Sequence, residues 1–140
     1  MSKISGPLLD RIDIHIEVPA VSFGALRRPA SDSITSAHMR AVVLRARQAQ
    51  RERFGPNATT TNASMTSRQV RTHCKLDAAG ETLLKQAMTE MGLSARAHDK
   101  VLRIARTIAD LESADGATDT PIASHHLAEA IQYRRLDRKL

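Results

Sequence analysis

The segment "SARAHDKVLRIARTIADLE", Ser94 to Glu112, constrains this chain more than any other stretch. Val101, Ile104, Ala105, Ile108 and Leu111 recur at the spacing of one helical face, so the segment buries its apolar side only as a helix laid on other elements. Ser94 stands where an N-cap hydroxyl would accept from a free backbone amide. The other side is basic, with Arg96, Lys100 and Arg103 at i, i+4 and i+7 along one edge. Aromatic residues make up only 2% of the 140 residues, so the core around this helix must be aliphatic. Alanine-rich, aromatic-poor composition favours helices over sheets.

Neighbouring segments carry compatible signals. Asp32 or Ser33 can cap a long helix running to about Phe54, with Ala37, Ala41, Leu44 and Gln48 on one side and Arg40, Arg45, Arg47, Arg51 and Arg53 around the rest. Gly55-Pro56 stops it. The stretch "NATTTNASMT", Asn57 to Thr66, is small and polar with no period, and reads as a mobile loop. A short helix follows from Ser67 to about Cys74, with Val70 and Cys74 inward and Arg68 and Arg71 outward. Asp77 caps the next, about Ala78 to Met91, in which Leu84, Ala87, Met88 and Met91 share a face until Gly92 ends it. After a polar turn, Ser113 to Thr120, Ser124 caps a final helix with Leu127, Ala128 and Ile131 inward. The last four helices suit a small bundle around a single aliphatic core.

One stretch does not fit a helical protein. In "SGPLLDRIDIHIEVP", Ser5 to Pro19, the residues Ile12, Ile14, Ile16 and Val18 alternate with Asp13, His15 and Glu17, the period of a strand with one buried face. A turn of helix over Pro7 to Arg11 precedes it. A lone strand needs neighbours to satisfy its backbone and cover its apolar side, so this segment reads as the remnant of something larger.

Net charge is +6, and 16 of the 21 basic residues are Arg, whose planar fork suits phosphate and carboxylate partners. Cys74 is the single cysteine, which excludes an internal disulfide and a multi-thiolate zinc site and fits a reducing compartment. Cys74 and His73 are adjacent on a helix and face different ways, which is poor geometry for an activated nucleophile. The same argument weighs against His125 and His126 as metal ligands, and no metal site is expected. No apolar run approaches a membrane span. The six glycines form neither a Gly-x-x-x-x-Gly-Lys-Ser/Thr phosphate loop nor a Gly-x-Gly-x-x-Gly fingerprint, so these residues alone are not expected to hold a nucleotide. Two arginines carry more chemistry. Arg11, between a turn and a strand, either pairs with Asp10 or Asp13 or reaches across a subunit boundary. Arg96, in the first turn of its helix, is either a solvated charge or part of a phosphate site favoured by the helix dipole.

"SGPLLDRIDIHIEVP", then "GLSARAHDKVLRIARTIADLE", then "HLAEAIQYRRLDR" closely resemble the C-terminal part of the magnesium-chelatase-like AAA+ ATPases of bacteria, the ComM or YifB group. The resemblance covers essentially the whole chain and is least specific over Pro19 to Thr66. It implies a mainly α fold, the helical lid bundle of an AAA+ ATPase with a short N-terminal strand remnant of the α/β core. The organisation it implies is core remnant over 1–20, connection over 21–31, linker helix over 32–55, flexible loop over 56–66 and helical lid over 67–140. By the same resemblance Arg11 is the arginine finger, acting in trans on ATP held by a neighbouring subunit, and Arg96 is the sensor-2 arginine that contacts the ATP phosphates. ATP and Mg2+ serve the full-length protein, and none is expected bound to this fragment, which alone is not an enzyme. The full-length parent is expected to be a cytoplasmic ATPase and DNA helicase, assembled with itself into a ring of six. DNA is its expected partner and membranes are not, with branch migration in natural transformation as the work done. The alternatives are a magnesium chelatase subunit acting on porphyrin and a passive helical DNA-binding or adaptor module.

Overall fold

Asp77, Thr66, Ser94 and Thr35 each place a side-chain oxygen against a free amide at a helix start, and the chain folds as the helices they begin. The computed structural model describes residues 8, 11–26, 34–113 and 120–134. Among them are a four-residue turn, α1 (Phe23–Leu26), and five longer helices: α2 (Ser36–Phe54), α3 (Ser67–His73), α4 (Ala78–Met91), α5 (Ala95–Glu112) and α6 (Ser124–Gln132). The mainly α expectation therefore holds. Asp77 accepts from the Gly80 amide at 2.7 Å and Ser94 from the Ala97 amide at 3.1 Å. Gly92 closes α4 with φ 62°, a left-handed conformation that glycine adopts without strain.

Helix α5 is the hub, packed against α2, α3, α6 and the short turn Asn62–Ser64. The core joins its Val101, Leu102 and Ala105 to Met65, Val70, Cys74, Leu84, Ile122, Leu127 and Ala130. Its buried stripe is rotated from the expected one: Leu111 is exposed, while Arg106 and Asp110 are inside.

Those two charges belong to a buried cluster. Asp110, fully buried, accepts from both terminal nitrogens of Arg53, at 2.6 and 2.8 Å, and from Nε of Arg106 at 3.1 Å. The amide nitrogen of Asn62 donates to the same carboxylate at 2.8 Å and to Thr107 Oγ1 at 3.2 Å, and Arg53 also donates to Asn62 Oδ1 at 3.0 Å. Asn62 is 1% exposed and Met65 equally so. The polar stretch read as a mobile loop thus contains a helical turn that plugs the groove between α2 and α5. Arg53, placed by its spacing on the outer side of the long helix, instead has a side chain only 2% exposed. The expected side of that helix is likewise displaced: Ala46, Ala49 and Gln50 are buried, and Leu44 is exposed. A carboxylate that compensates two guanidiniums outweighs the weak apolar stripe in setting the rotation of α2. The caps expected at Asp32 or Ser33 lie outside the described residues, and the observed cap is Thr35, accepting from the His38 amide.

The N-terminal strand is not seen, since among the described residues there is no strand. Ile12, Ile14, Ile16 and Val18 are all exposed, and His15 is the buried member of the alternation. The physical reason is the need of a strand for neighbours: no other strand among the described residues offers a ladder. The segment is held by different means. The His15 amide donates to the Tyr133 carbonyl at 2.8 Å, Arg134 donates to the Ile12 carbonyl, and Lys100 pairs with Asp13 at 2.7 Å. Of the expected Pro7 to Arg11 turn, Leu8 and Arg11 are among the described residues, and the Arg11 amide donates to the Leu8 carbonyl at 3.0 Å. The rest of that turn, Arg27 and Arg28, and residues 114–119 lie outside the described residues.

Candidate phosphate-binding cleft

The short α3 and the start of α5 diverge from α4 and leave an open cleft of about 1600 Å³. Its floor is the core itself, with Val70, Cys74, Leu84 and Leu102 showing their edges. Its walls are cationic. Arg71 and Lys75 come from α3 and the chain after it, Lys85 from α4, and Arg96, Lys100 and Arg103 from α5, and Arg11 enters from the N-terminal segment. Seven cations thus face two carboxylates, Glu81 and Asp99. Such a hollow concentrates positive potential and draws in anions.

The two arginines singled out in the sequence, Arg11 and Arg96, line this one cleft although they are far apart in the chain. Both are exposed. Of the two local partners weighed for Arg11, Asp13 is paired with Lys100 and Asp10 lies outside the described residues. Lys100 therefore has a positioning part: it fastens the segment that carries Arg11 to the helix that carries Arg96.

Asp99 is committed within the cleft. Ser67 donates to it at 2.7 Å and the His98 ring meets it at 3.1 Å. Burial pushes its carboxyl up, but those two hydrogen bonds and the charges of His98 and Arg103 outweigh burial and hold it below the usual range. Ser67 bonds the carboxylate rather than the imidazole, so the three do not form a nucleophilic relay. Cys74 is inert: burial pushes its thiol up to about 11, against the pull of Arg106 and Arg53.

The expectation that His125 and His126 point apart is not met. Nε2 of each meets Oε2 of Glu112, His125 at 2.8 Å, and the three ligand atoms lie within 4.8 Å of one another. The Ala123 amide, however, donates to Nδ1 of His126 at 2.9 Å. The neutral ring then carries its proton on Nε2, where it donates to Glu112. A metal on Nε2 would require a proton on Nδ1, directly against the Ala123 amide hydrogen. The cluster is wired as a clasp between the end of α5 and the start of α6. It also corrects the reading of Ser124 as the cap, because Ser124 is the first helical residue; the cap position is Ala123, which has no side-chain acceptor, and its own amide is satisfied by the His126 ring.

Arg71, Lys75 and Lys85 are cleft residues that sequence reasoning did not connect with Arg11 or Arg96, and Arg103, though read on the same edge as Arg96, was not assigned to a site. The i, i+4, i+7 edge of α5 carried part of the signal; the facing wall did not, since nothing in the sequence says that α3 and α4 open toward it.

Residues 33–134 match the family described as magnesium chelatase, subunit ChlI C-terminal. The chain belongs to that family. Among its relatives is the competence protein ComM of Haemophilus influenzae, 39% identical over 140 residues, all of this chain and 26% of that protein. The uncharacterized protein YifB of Salmonella typhimurium is 36% identical over the same 140 residues, again 26% of its length. An uncharacterized protein of Mycobacterium bovis is 32% identical over 135 residues, 96% of this chain and 25% of that one. The chain therefore spans about a quarter of the length of these relatives. Among the described residues no helix is long and apolar enough to cross a membrane.

Proposed function

We propose that this chain supplies the helical lid and two phosphate-directed arginines of a ring-forming ATPase that remodels DNA. The observation that carries the reading is the meeting of Arg11 and Arg96 in one cationic cleft. A nucleoside triphosphate presented there, on a subunit that has a phosphate loop, would meet both guanidiniums together. The residues fit such an anion: seven cations line the cleft, and a guanidinium fork matches phosphate oxygens with two parallel N–H donors.

In this reading Arg11, the arginine finger, stabilises charge on the transferring phosphoryl group in trans. Arg96, the sensor-2 arginine, orients the phosphate chain from the first turn of α5, where the helix dipole adds to its charge. Lys100, through Asp13, keeps Arg11 at the cleft. ATP would supply the phosphoryl group and Mg2+ would offset its charge, both in the assembled ring, a hexamer in the cytoplasm. The energy of hydrolysis is spent on DNA, in line with the word competence in the name of the Haemophilus relative and with the net charge of +6.

The test is Arg11→Ala in an assembly that includes a phosphate-loop-bearing subunit. Ring assembly and nucleotide binding should persist while turnover falls by about 10³-fold or more, the magnitude associated with an arginine finger. Unchanged hydrolysis would refute the assignment.

A further inference from the structure

We propose that Arg103 is a third phosphate-binding cation of the cleft, one that holds a nucleoside polyphosphate farther along α5 than Arg96 does. The proposal rests on the phosphate reading of the cleft given above. Arg103 follows Arg96 by two helical turns, so the two share a face with Cα atoms about 10 Å apart along the axis. That separation suits successive groups of a linked phosphate chain better than one isolated phosphate. Arg71 stands on the facing wall and is exposed, so a chain laid along α5 has a cation on its other flank.

What distinguishes Arg103 from its neighbours on the same helix is how it is partnered. Lys100, one turn before it, pairs with Asp13, and Arg106, one turn after it, pairs with Asp110. Among the described residues the Arg103 guanidinium makes no hydrogen bond or ion pair, and its Nε is shut away from solvent without an acceptor. The Nε is out of a ligand's reach, and the terminal nitrogens are the donors that a phosphate in the cleft would meet, with a charge-assisted hydrogen bond. Asp99 feels the charge of Arg103, but the protein offers Arg103 no carboxylate as a hydrogen-bond acceptor. Asp110 already serves Arg53 and Arg106, and Asp99 is bonded by Ser67 and His98. The cleft volume agrees, since about 1600 Å³ leaves room beyond what a single phosphate between Arg11 and Arg96 would fill.

The proposal departs from the expectation that these residues alone hold no nucleotide: at low ionic strength the cations of the cleft should take up a polyphosphate without a phosphate loop, and the 140-residue chain should be titrated calorimetrically there with sodium tripolyphosphate and, separately, with ATP. Arg103→Met should weaken both by roughly tenfold or more, the loss expected for a charge-assisted hydrogen bond. Arg103→Lys should lose less, and Arg45→Met, on the exposed side of α2, less than twofold. Arg103→Gln serves the same comparison if the methionine variant does not fold. Unchanged affinity in the Arg103 variants, an equal loss in Arg45→Met, a loss confined to ATP, or no tripolyphosphate binding by the parent chain would each overturn the proposal. The outcome is separable from that of the ring-ATPase reading. Turnover indifferent to Arg11→Ala, with tripolyphosphate binding still dependent on Arg103, sinks that reading and leaves this inference standing; the reverse pattern sinks this inference alone.

Discussion

Arg53 and Arg106 end in the interior on one carboxylate, whereas Arg11, Arg71, Arg96 and Arg103 end at the walls of a cleft that opens to solvent. The residue type is the same and the neighbourhoods differ: a fully buried carboxylate, Asp110, takes hydrogen bonds from the first set, whereas the carboxylates beside the second, Glu81 and Asp99, stand at the open cleft and Asp99 is bonded by Ser67 and His98. A buried guanidinium beside a carboxylate holds helices in register, and burial pulls Arg106 below its usual value while Asp110 pushes it back up. A wall of seven cations with two carboxylates carries an excess of positive charge toward solvent, which favours an external anion. The arginine excess of the sequence is therefore two populations, one structural and one directed outward.

The comparison breaks most readily at Asp110. Asp110→Ala leaves two buried guanidiniums without a counter-charge, and urea unfolding should show a loss of about 3–5 kcal/mol. A mild effect there would mean that the interior set is not structural. Arg53→Met should cost less, about 1–3 kcal/mol in the same assay, because Asp110 keeps Arg106 and Asn62. Arg96→Ala should leave stability within about 0.5 kcal/mol while lowering tripolyphosphate affinity, which sharpens the contrast by moving binding alone. The smallest effect concerns the clasp, outside both sets. Hydrogen bonds from His125 and then His126 hold the Glu112 carboxyl below its ordinary 4.5. A depressed carboxylate stabilises the fold at pH above that value, and the contribution is lost as pH falls through the folded value. Stability should accordingly decline with acid below about pH 4.5, and Glu112→Gln should flatten part of that slope in pH-dependent melting curves.

How much of this the sequence disclosed depended on whether the cause was local. The caps at Asp77 and Ser94 and the stop at Gly92 involve residues three or four apart, and the fold places them as read. The inward positions of Val70, Leu84 and Leu127 follow from period and apolarity together. Asn62 and Arg53 were missed because their partner, Asp110, is 48 and 57 residues away. Small polar residues and a helix-face arginine look solvated until that partner is known. The alternation at Ile12 to Val18 was a true period without a sheet to realise it. In the cleft, the edge of α5 was legible, but its opposition to α3 and α4 arises only from packing.

The fastening of residues 12–15 to Tyr133 and Arg134 makes the two sequence extremes of the described fold thermodynamic partners. An anion that immobilises the segment bearing Arg11 must, by reciprocity, oppose fraying at the end of α6 by the same free energy. Amide exchange at His15, whose hydrogen is held by the Tyr133 carbonyl, would then report occupancy of the cleft without any probe placed in it.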